Sequence, residues 1–173
     1  VRSRRQRQMC IRDSPYAVAK STAYWLVANY RIAYGIFCCT GILSNHESPL
    51  RPNRFVTKKI VKQVSEINSG LRDSLSLGNF NIHRDWGWAP EYVKAMYLML
   101  ESSTADDYII SSGSSNSLKK FVNLAFEYFD LNPEKFIKID NSFIRPADIS
   151  YSAMNPKKIS KNLGWKAEKD LDY

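Results

Sequence analysis

Apolar residues at helical spacing alternate along this chain with short apolar runs of strand length. A first helix is predicted over residues 16–33, with Ser14 as its cap, Pro15 at its first position and Gly35 after its end. Residues 36–43 follow as a nearly continuous apolar run. Such a run is typical of a strand that is buried on both faces of a parallel sheet.

The rest of the chain continues this alternation of helices and strands. Residues 44–54 and 81–87 are too polar for a core and are predicted to be loops. Helices are predicted at 55–67, 90–100, 117–129 and 156–163, and strands at 75–77, 108–111 and 136–139. This order indicates an α/β fold.

The predicted sheet needs more strands than this chain offers. Only residues 36–43 have the pattern of a strand buried on both faces, and one strand cannot form a parallel sheet. We therefore expect strands upstream of this chain to complete the sheet. The sequence predicts a truncated part of a larger α/β protein.

The basic charge is concentrated at one end of the chain. The formal net charge is +8, and residues 1–13 hold five Arg against one Asp, which gives +4 and leaves +4 for the other 160 residues. This stretch is interpreted as a non-native or disordered basic leader, with the folded part at 14–173. Two other possibilities for an Arg-rich stretch are a transit peptide and a nucleic-acid-binding arm.

Several classes of protein are disfavoured by composition. The adjacent Cys38 and Cys39 lie in an apolar run, so they are interpreted as buried thiols and not as part of a disulfide framework. This predicts a reducing compartment, the cytoplasm. No apolar run reaches the roughly 18 residues of a membrane span. His83 has no second His, Cys or carboxylate at ligand spacing, so no metal site is predicted. A phosphate-binding loop and a Ser-His-Asp signature are also missing.

Tyr16 and Lys20 are the first candidates for chemistry. Four residues apart on a helix, their side chains share one face. A nearby ammonium favours the phenolate, so the pair can serve as an acid/base group on a substrate hydroxyl. This spacing also occurs by chance on solvated helix faces, and by itself it leaves both interpretations open.

Longer motifs point to a known family. The segment SPYAVAK (14–20), with the helix and apolar strand after it, resembles the active-site helix and following strand of extended short-chain dehydrogenase/reductases. The stretches at 40–60, 77–100, 143–149 and 162–168, among them SNHESP, RFVTKKI, NFNIHRDWGWAPEYV, FIRPADI and NLGWKAE, resemble the GDP-mannose 4,6-dehydratase family in particular. The resemblance covers nearly all of residues 14–168.

The resemblance implies a lyase that converts GDP-mannose to GDP-4-keto-6-deoxymannose with NADP recycled inside each turnover. In this family Tyr16 would take the C4 hydroxyl proton, and Lys20 would lower the pKa of Tyr16 and hold the nicotinamide ribose. The family's catalytic Thr or Ser, its Glu and its glycine-rich turn would lie upstream of this chain. The chain alone is therefore expected to be inactive.

The resemblance also assigns binding residues. NADP would be bound by Tyr16, Lys20, His46 and Arg51, and the GDP-mannose substrate by Asn45, Lys59, Arg84, Arg145 and Asp148. Leu50 stands where the family usually has the first of two consecutive Arg, and Asp148 where it more often has Glu. The family implies a homo-oligomer, with the helix at Tyr16 in the dimer interface.

Three alternatives remain at this stage. The chain could belong to another sugar-nucleotide epimerase, dehydratase or 4-keto reductase of the same superfamily, which the upstream catalytic residues would distinguish. It could be a basic protein that binds nucleic acid through residues 1–13, in which case binding would weaken steeply with salt. It could also be an inert half-domain with an exposed strand edge.

Overall fold

The computed structural model describes residues 15–143 and 149–173, in which helices alternate with short strands, most of them paired in parallel. The α-helices are α1 (Pro15–Tyr34), α2 (Val56–Asn68), α3 (Ala89–Glu101), α4 (Leu118–Glu127) and α5 (Lys157–Leu163). The strands are β1 (Thr40–Leu43), β2 (Asn45–Glu47), β3 (Leu75–Leu77), β4 (His83–Arg84), β5 (Trp86–Trp88), β6 (Asp107–Ile110), β7 (Asn116–Ser117) and β8 (Ile137–Ile139). Single 3₁₀ turns lie at Pro133–Lys135 and Asn141–Phe143.

The strands form pairs that are distant in sequence. β1 pairs with β6, β2 with β5 and β3 with β8, each in parallel, and β4 pairs with β7 in antiparallel fashion. Parallel pairing with intervening helices confirms the predicted α/β class. Among the described residues no helix is long and apolar enough to cross a membrane.

Two apolar cores hold the elements together. The first packs α2 and α4 over β3 and includes the fully buried Ile60, Val64, Leu75, Val122 and Phe126. The second joins α3, β6 and α5 through Tyr92, Ala95, Met99, Tyr108, Ile110, Ile159 and Trp165. The buried faces of α2, α3, α4 and α5 therefore point toward these cores.

Most predicted boundaries are confirmed to within a residue or two. The predicted stops Gly35 and Gly164 both have left-handed backbones, with φ of 64° and 66°, which glycine adopts without strain. Ser117 caps α4 by accepting a hydrogen bond from the Lys120 amide at 3.1 Å.

Two predictions about residues 36–87 need correction. The apolar run 36–43 is a strand only from Thr40 onward. Ile36, Phe37 and Ile42 are 48%, 46% and 39% exposed in this chain, so burial on both faces stays a prediction for the sheet that upstream strands would complete. The described residues place β6 beside β1 and nothing along its other edge. The segments 44–54 and 81–87 are not wholly loop either, because they contain β2, β4 and the start of β5.

Helix α1 lies at the surface and is attached to the β1–β6 pair near its last turn. It has no buried residue. Arg31 donates to the Cys38 carbonyl at 2.8 Å and to the Asp107 carboxylate at 2.5 Å. This hydrogen-bonded ion pair lowers the pKa of Asp107.

This ion pair should make stability depend on acidity. The folded pKa of Asp107 lies below the unfolded value of about 3.9, so its stabilisation is present above about pH 4 and lost as the pH falls through the folded pKa. Urea unfolding should show Asp107→Asn to be less stable than wild type at pH 7, with the gap closing toward pH 3. Asp73→Asn, at an exposed carboxylate, is the matched control, and a gap independent of pH would contradict the assignment.

Candidate functional site

The carboxyl ends of β1 and β6 define the edge at which candidate residues meet. The two strands run in parallel register from Thr40 beside Asp107 to Leu43 beside Ile110. The Ser44 amide continues the pairing by donating to the Ile110 carbonyl at 2.9 Å. In open α/β sheets ligands bind at this carboxyl edge, so the segments that follow Leu43 and Ile110 are candidates for ligand binding.

Pairing of β2 with β5 brings together three of the predicted residues. Asn45 lies in register with Trp86, and His46 with Gly87. Arg84 is two residues before Trp86 in β4. Arg84 therefore lies near the adjacent Asn45 and His46 at one edge, although about 40 residues separate it from them in sequence.

A buried carboxylate joins these strands to the sheet. Asp85 is 3% exposed, and its Oδ1 accepts from the Ser44 hydroxyl at 2.9 Å and the Ser112 amide at 3.0 Å. Its Oδ2 accepts from the Gly113 amide at 3.0 Å. The Ser44 hydroxyl also hydrogen-bonds the Tyr92 hydroxyl at 2.6 Å. Burial raises the pKa of Tyr92 to about 12, so this phenol remains protonated.

His46 is held by the same network. Its Nδ1 lies 3.0 Å from the Ser44 carbonyl, which can only accept, so Nδ1 carries a proton. Its ring stacks on Tyr92 with centroids 5.1 Å apart. Fixing Nδ1 as the donor leaves Nε2 of the neutral ring as the acceptor toward a ligand.

Gly87 is required by the close approach of Tyr92. A Cβ built at Gly87 would overlap the Tyr92 ring and hydroxyl. Only a residue without a side chain lets β5 approach the ring on which His46 stacks. The glycine of the DWGW segment is thus explained by packing at this edge.

Arg51 lies beyond β2, beside an ion-pair partner and an aromatic ring. Its Nε is 3.1 Å from a Glu47 carboxylate oxygen, and its guanidinium lies 3.7 Å from the centroid of the Phe55 ring. Burial raises the pKa of Glu47, and the charge of Arg51 partly offsets that rise.

Beside Arg51 the surface is hollowed into a cavity of about 490 Å³. Its walls include Lys58 and the aromatic residues Trp86, Trp88 and Tyr173. Lys58 donates to the Pro49 carbonyl at 3.1 Å. The first of the two adjacent lysines on α2 therefore faces the cavity on the Arg51 side.

Lys59 points elsewhere, toward Phe143. Its Nζ donates to the Ser76 carbonyl at 3.0 Å and lies 3.9 Å from the centroid of the Phe143 ring. Partial burial lowers the pKa of Lys59, and Asp140 opposes that shift. A Cβ at Gly78 would come within 2.9 Å of the Phe143 backbone, which shows how closely this turn packs.

The predicted substrate residues Arg145 and Asp148 lie outside the described residues. The described residues just before and just after this gap contact other candidate residues or their neighbours. Phe143 is against Lys59, and Ser150 and Ser152 hydrogen-bond the backbone of His83, next to Arg84.

Tyr16 and Lys20 share one face of α1, as their spacing predicts. The Lys20 Nζ lies 5.7 Å from the centroid of the Tyr16 ring, and Tyr16 is 71% exposed. The described contacts do not join this pair to the residues at the sheet edge. Among the residues the structure describes, no group of three or more His, Cys, Asp or Glu could hold a metal ion.

Sequence reasoning missed Asp85, Ser44 and Tyr92, which form the centre of the edge. Asp85 could have been noticed as the one acidic residue among the aromatic and basic residues of the HRDWGW segment. Its burial depends on donors at Ser112 and Gly113, which no local pattern connects to it.

Comparison with known proteins gives matches over nearly the whole chain. The family model of GDP-mannose 4,6 dehydratase matches residues 7–173. GDP-mannose 4,6 dehydratase 2 of Arabidopsis thaliana is 43% identical over 155 residues, which are 90% of this chain and 42% of that protein. The GDP-mannose 4,6 dehydratase of Dictyostelium discoideum is 43% identical over 169 residues, with 88% and 48% covered. The chain thus spans about half the length of these curated relatives.

Solved structures share the fold. RMD from Pseudomonas aeruginosa, complexed with NADPH, has a TM-score of 0.82 at 23% identity and covers 91% of this chain, with 51% of its own chain covered. The dTDP-glucose 4,6-dehydratase of Bacillus anthracis, in complex with NAD, has a TM-score of 0.78 at 17% identity, with 92% and 49% covered. These similarities confirm the predicted fold class.

Proposed function

The chain belongs to the GDP-mannose 4,6-dehydratase family, and on this basis we propose that the whole protein is a lyase that dehydrates GDP-mannose to GDP-4-keto-6-deoxymannose. The grouping of Asn45, His46 and Arg84 at the carboxyl edge supports this function more than any other observation, since Arg84 is distant in sequence from the adjacent Asn45 and His46 and meets them only in the folded chain.

The proposed cofactor is NADP, which when bound would accept the hydride from C4 and return it to C6. Tyr16 would take the proton of the C4 hydroxyl, helped by the charge of Lys20 on the same helix face. His46 would offer Nε2, because its Nδ1 is committed to the Ser44 carbonyl. Arg51 would supply a cation beside the aromatic-walled cavity.

The proposed substrate contacts use cations for the diphosphate and amide groups for the sugar. Arg84 and Arg145 would bind phosphate oxygens, for which the guanidinium fork is well suited. Lys59 would add a third cation, Asn45 would contact the sugar, and Asp148 the ribose hydroxyls. The position of Lys59 against Phe143 supports this set, because the backbone that continues from Phe143 carries Arg145 and Asp148.

Residues outside this chain would complete the enzyme. The second edge of β1 is unpaired within 15–143 and 149–173, and Ile36 and Phe37 beside it are half exposed. A strand of the cofactor-binding half would cover this edge and carry the remaining catalytic groups. We accordingly expect residues 14–173 to be inactive alone.

Helix α1 is the proposed contact between subunits of a homo-oligomer. Its exposed apolar side chains include Trp25, Leu26, Tyr30 and Ile32, which are 67%, 52%, 49% and 85% exposed, respectively. Removing such a surface from water favours association.

A cytoplasmic location fits the free thiols of Cys38 and Cys39.

A turnover assay on the whole protein tests the function. The complete protein and residues 14–173 alone would each be incubated with GDP-mannose and NADP, and the 4-keto-6-deoxy product would be measured by mass spectrometry. Product from the complete protein, and none from residues 14–173 alone, is the expected result. Turnover of another sugar nucleotide but not of GDP-mannose would contradict the substrate and leave the fold class intact.

A further inference from the structure

The buried side chain of Asp85 hydrogen-bonds two of the backbone segments that lie next to the candidate residues. Its carboxylate reaches the chain after β1 through Ser44 and the chain after β6 through the Ser112 and Gly113 amides. Asp85 itself lies between β4 and β5. Three backbone segments at the carboxyl edge are therefore tied to one buried group.

The hydrogen bonds require a carboxylate in particular. Three donors meet two oxygens, Ser44 and Ser112 at Oδ1 and Gly113 at Oδ2. An asparagine has one oxygen and one NH₂ group, so in either orientation an N–H would face another donor. The amide is nearly isosteric, and it therefore tests the hydrogen bonds with little change in volume.

The influence of Asp85 extends to side chains it does not touch. The Ser44 hydroxyl, which donates to Asp85, also hydrogen-bonds the Tyr92 hydroxyl at 2.6 Å, and the Tyr92 ring stacks on His46. Arg84 and Trp86 are the chain neighbours of Asp85. Trp86 pairs with Asn45 in the β2–β5 ladder, so the position of Asp85 also affects Asn45.

We propose that Asp85 is a positioning residue, whose buried carboxylate sets Asn45, His46 and Arg84 in their places at the carboxyl edge. The identity of the ligands rests on the proposed function, whereas the hydrogen bonds of Asp85 are those of the chain itself. Asp85 fixes the backbone from which the ligand-facing side chains project, and it contacts no substrate itself.

The experiment compares Asp85→Asn with wild type in the whole protein. Calorimetric titration would give Kd for NADP and for GDP-mannose, and ¹⁵N NMR of labelled histidine would report the tautomer and ring environment of His46, assigned with His46→Gln. We expect both Kd values to rise by about 10-fold or more. We also expect the Nδ1-protonated signal of ligand-free His46 to shift or broaden.

Val122→Ala is the control for general destabilisation. Val122 is on α4 and fully buried in the core between α2, α4 and β3, and its apolar side chain makes no hydrogen bond to the proposed site residues. It should lower Tm while leaving both Kd values and the His46 signals at wild-type values. A difference between the two variants separates positioning from loss of stability.

The outcomes are distinguishable from failure of the proposed function. A wild-type protein that binds NADP but never converts GDP-mannose would refute the function, and Asp85 would still be judged on the NADP Kd and the His46 signals. Asp85→Asn protein with wild-type Kd values and unchanged His46 signals would overturn the inference, whatever its Tm.

Discussion

Replacing Tyr16 by phenylalanine is expected to lower kcat of the whole enzyme by about 10²- to 10⁴-fold, the usual contribution of a positioned acid/base group. The substitution removes only the hydroxyl that would take the C4 proton. Tyr16 is 71% exposed in this chain, so the substitution should hardly change the free energy of unfolding. Steady-state turnover of GDP-mannose, with unfolding followed in parallel, measures both effects.

Tyr34→Phe is the matched control for Tyr16→Phe. Tyr34 is at the other end of the same helix and 69% exposed, so it loses the same hydroxyl from a similar environment. It should retain wild-type kcat. Equal activity of the Tyr16 and Tyr34 variants would remove Tyr16 from the proposed mechanism, even if the family assignment stands.

Gly87→Ala is expected to cost about 3 kcal/mol of unfolding free energy, at the upper end of overpacking effects. The added Cβ would overlap the Tyr92 ring, which is fully buried and packed between His46 and Trp165. Either β5 or the Tyr92 ring must move, and the edge that carries His46 moves with it. Urea unfolding measures the loss of stability.

Two comparisons test that the cost comes from Tyr92. Gly70→Ala meets no atom within 4 Å and pays only for its left-handed backbone at φ 70°, about 1 kcal/mol. In a Tyr92→Leu background, Gly87→Ala should cost less than in wild type, because the overlapping ring is gone. Equal costs of Gly87→Ala in both backgrounds would show that the overlap is relieved without strain.

The elements that were predictable share a local cause. The buried residues Ile60, Val64 and Ile67 of α2 recur at helical spacing, and the stops at Gly35 and Gly164 follow from backbone geometry that glycine adopts freely. These signals lie within a few residues of the structure they specify. The five helices of the described chain were accordingly found from sequence with errors of one or two residues at most ends.

The elements that were missed depend on distant partners. β2 and β4 are two or three residues long and polar, and β5 is only the three residues Trp86–Trp88 with a glycine at its centre, so none of them has the sequence pattern of a strand. They become strands because β2 meets β5 and β4 meets β7 in the folded chain. Conversely, the apolar run 36–43 lacks burial because the described residues cover one edge of β1 only.

The α/β order, the helices, the Tyr16–Lys20 pair and the family motifs could all be derived from residue types at short spacing. Folding was needed to show that Lys58 and Lys59 face different surroundings, that Arg84 shares an edge with Asn45 and His46, and that Asp85 is buried. Hydrophobic periodicity acts between neighbours in the chain, whereas a buried carboxylate needs donors that folding brings from Ser44, Ser112 and Gly113.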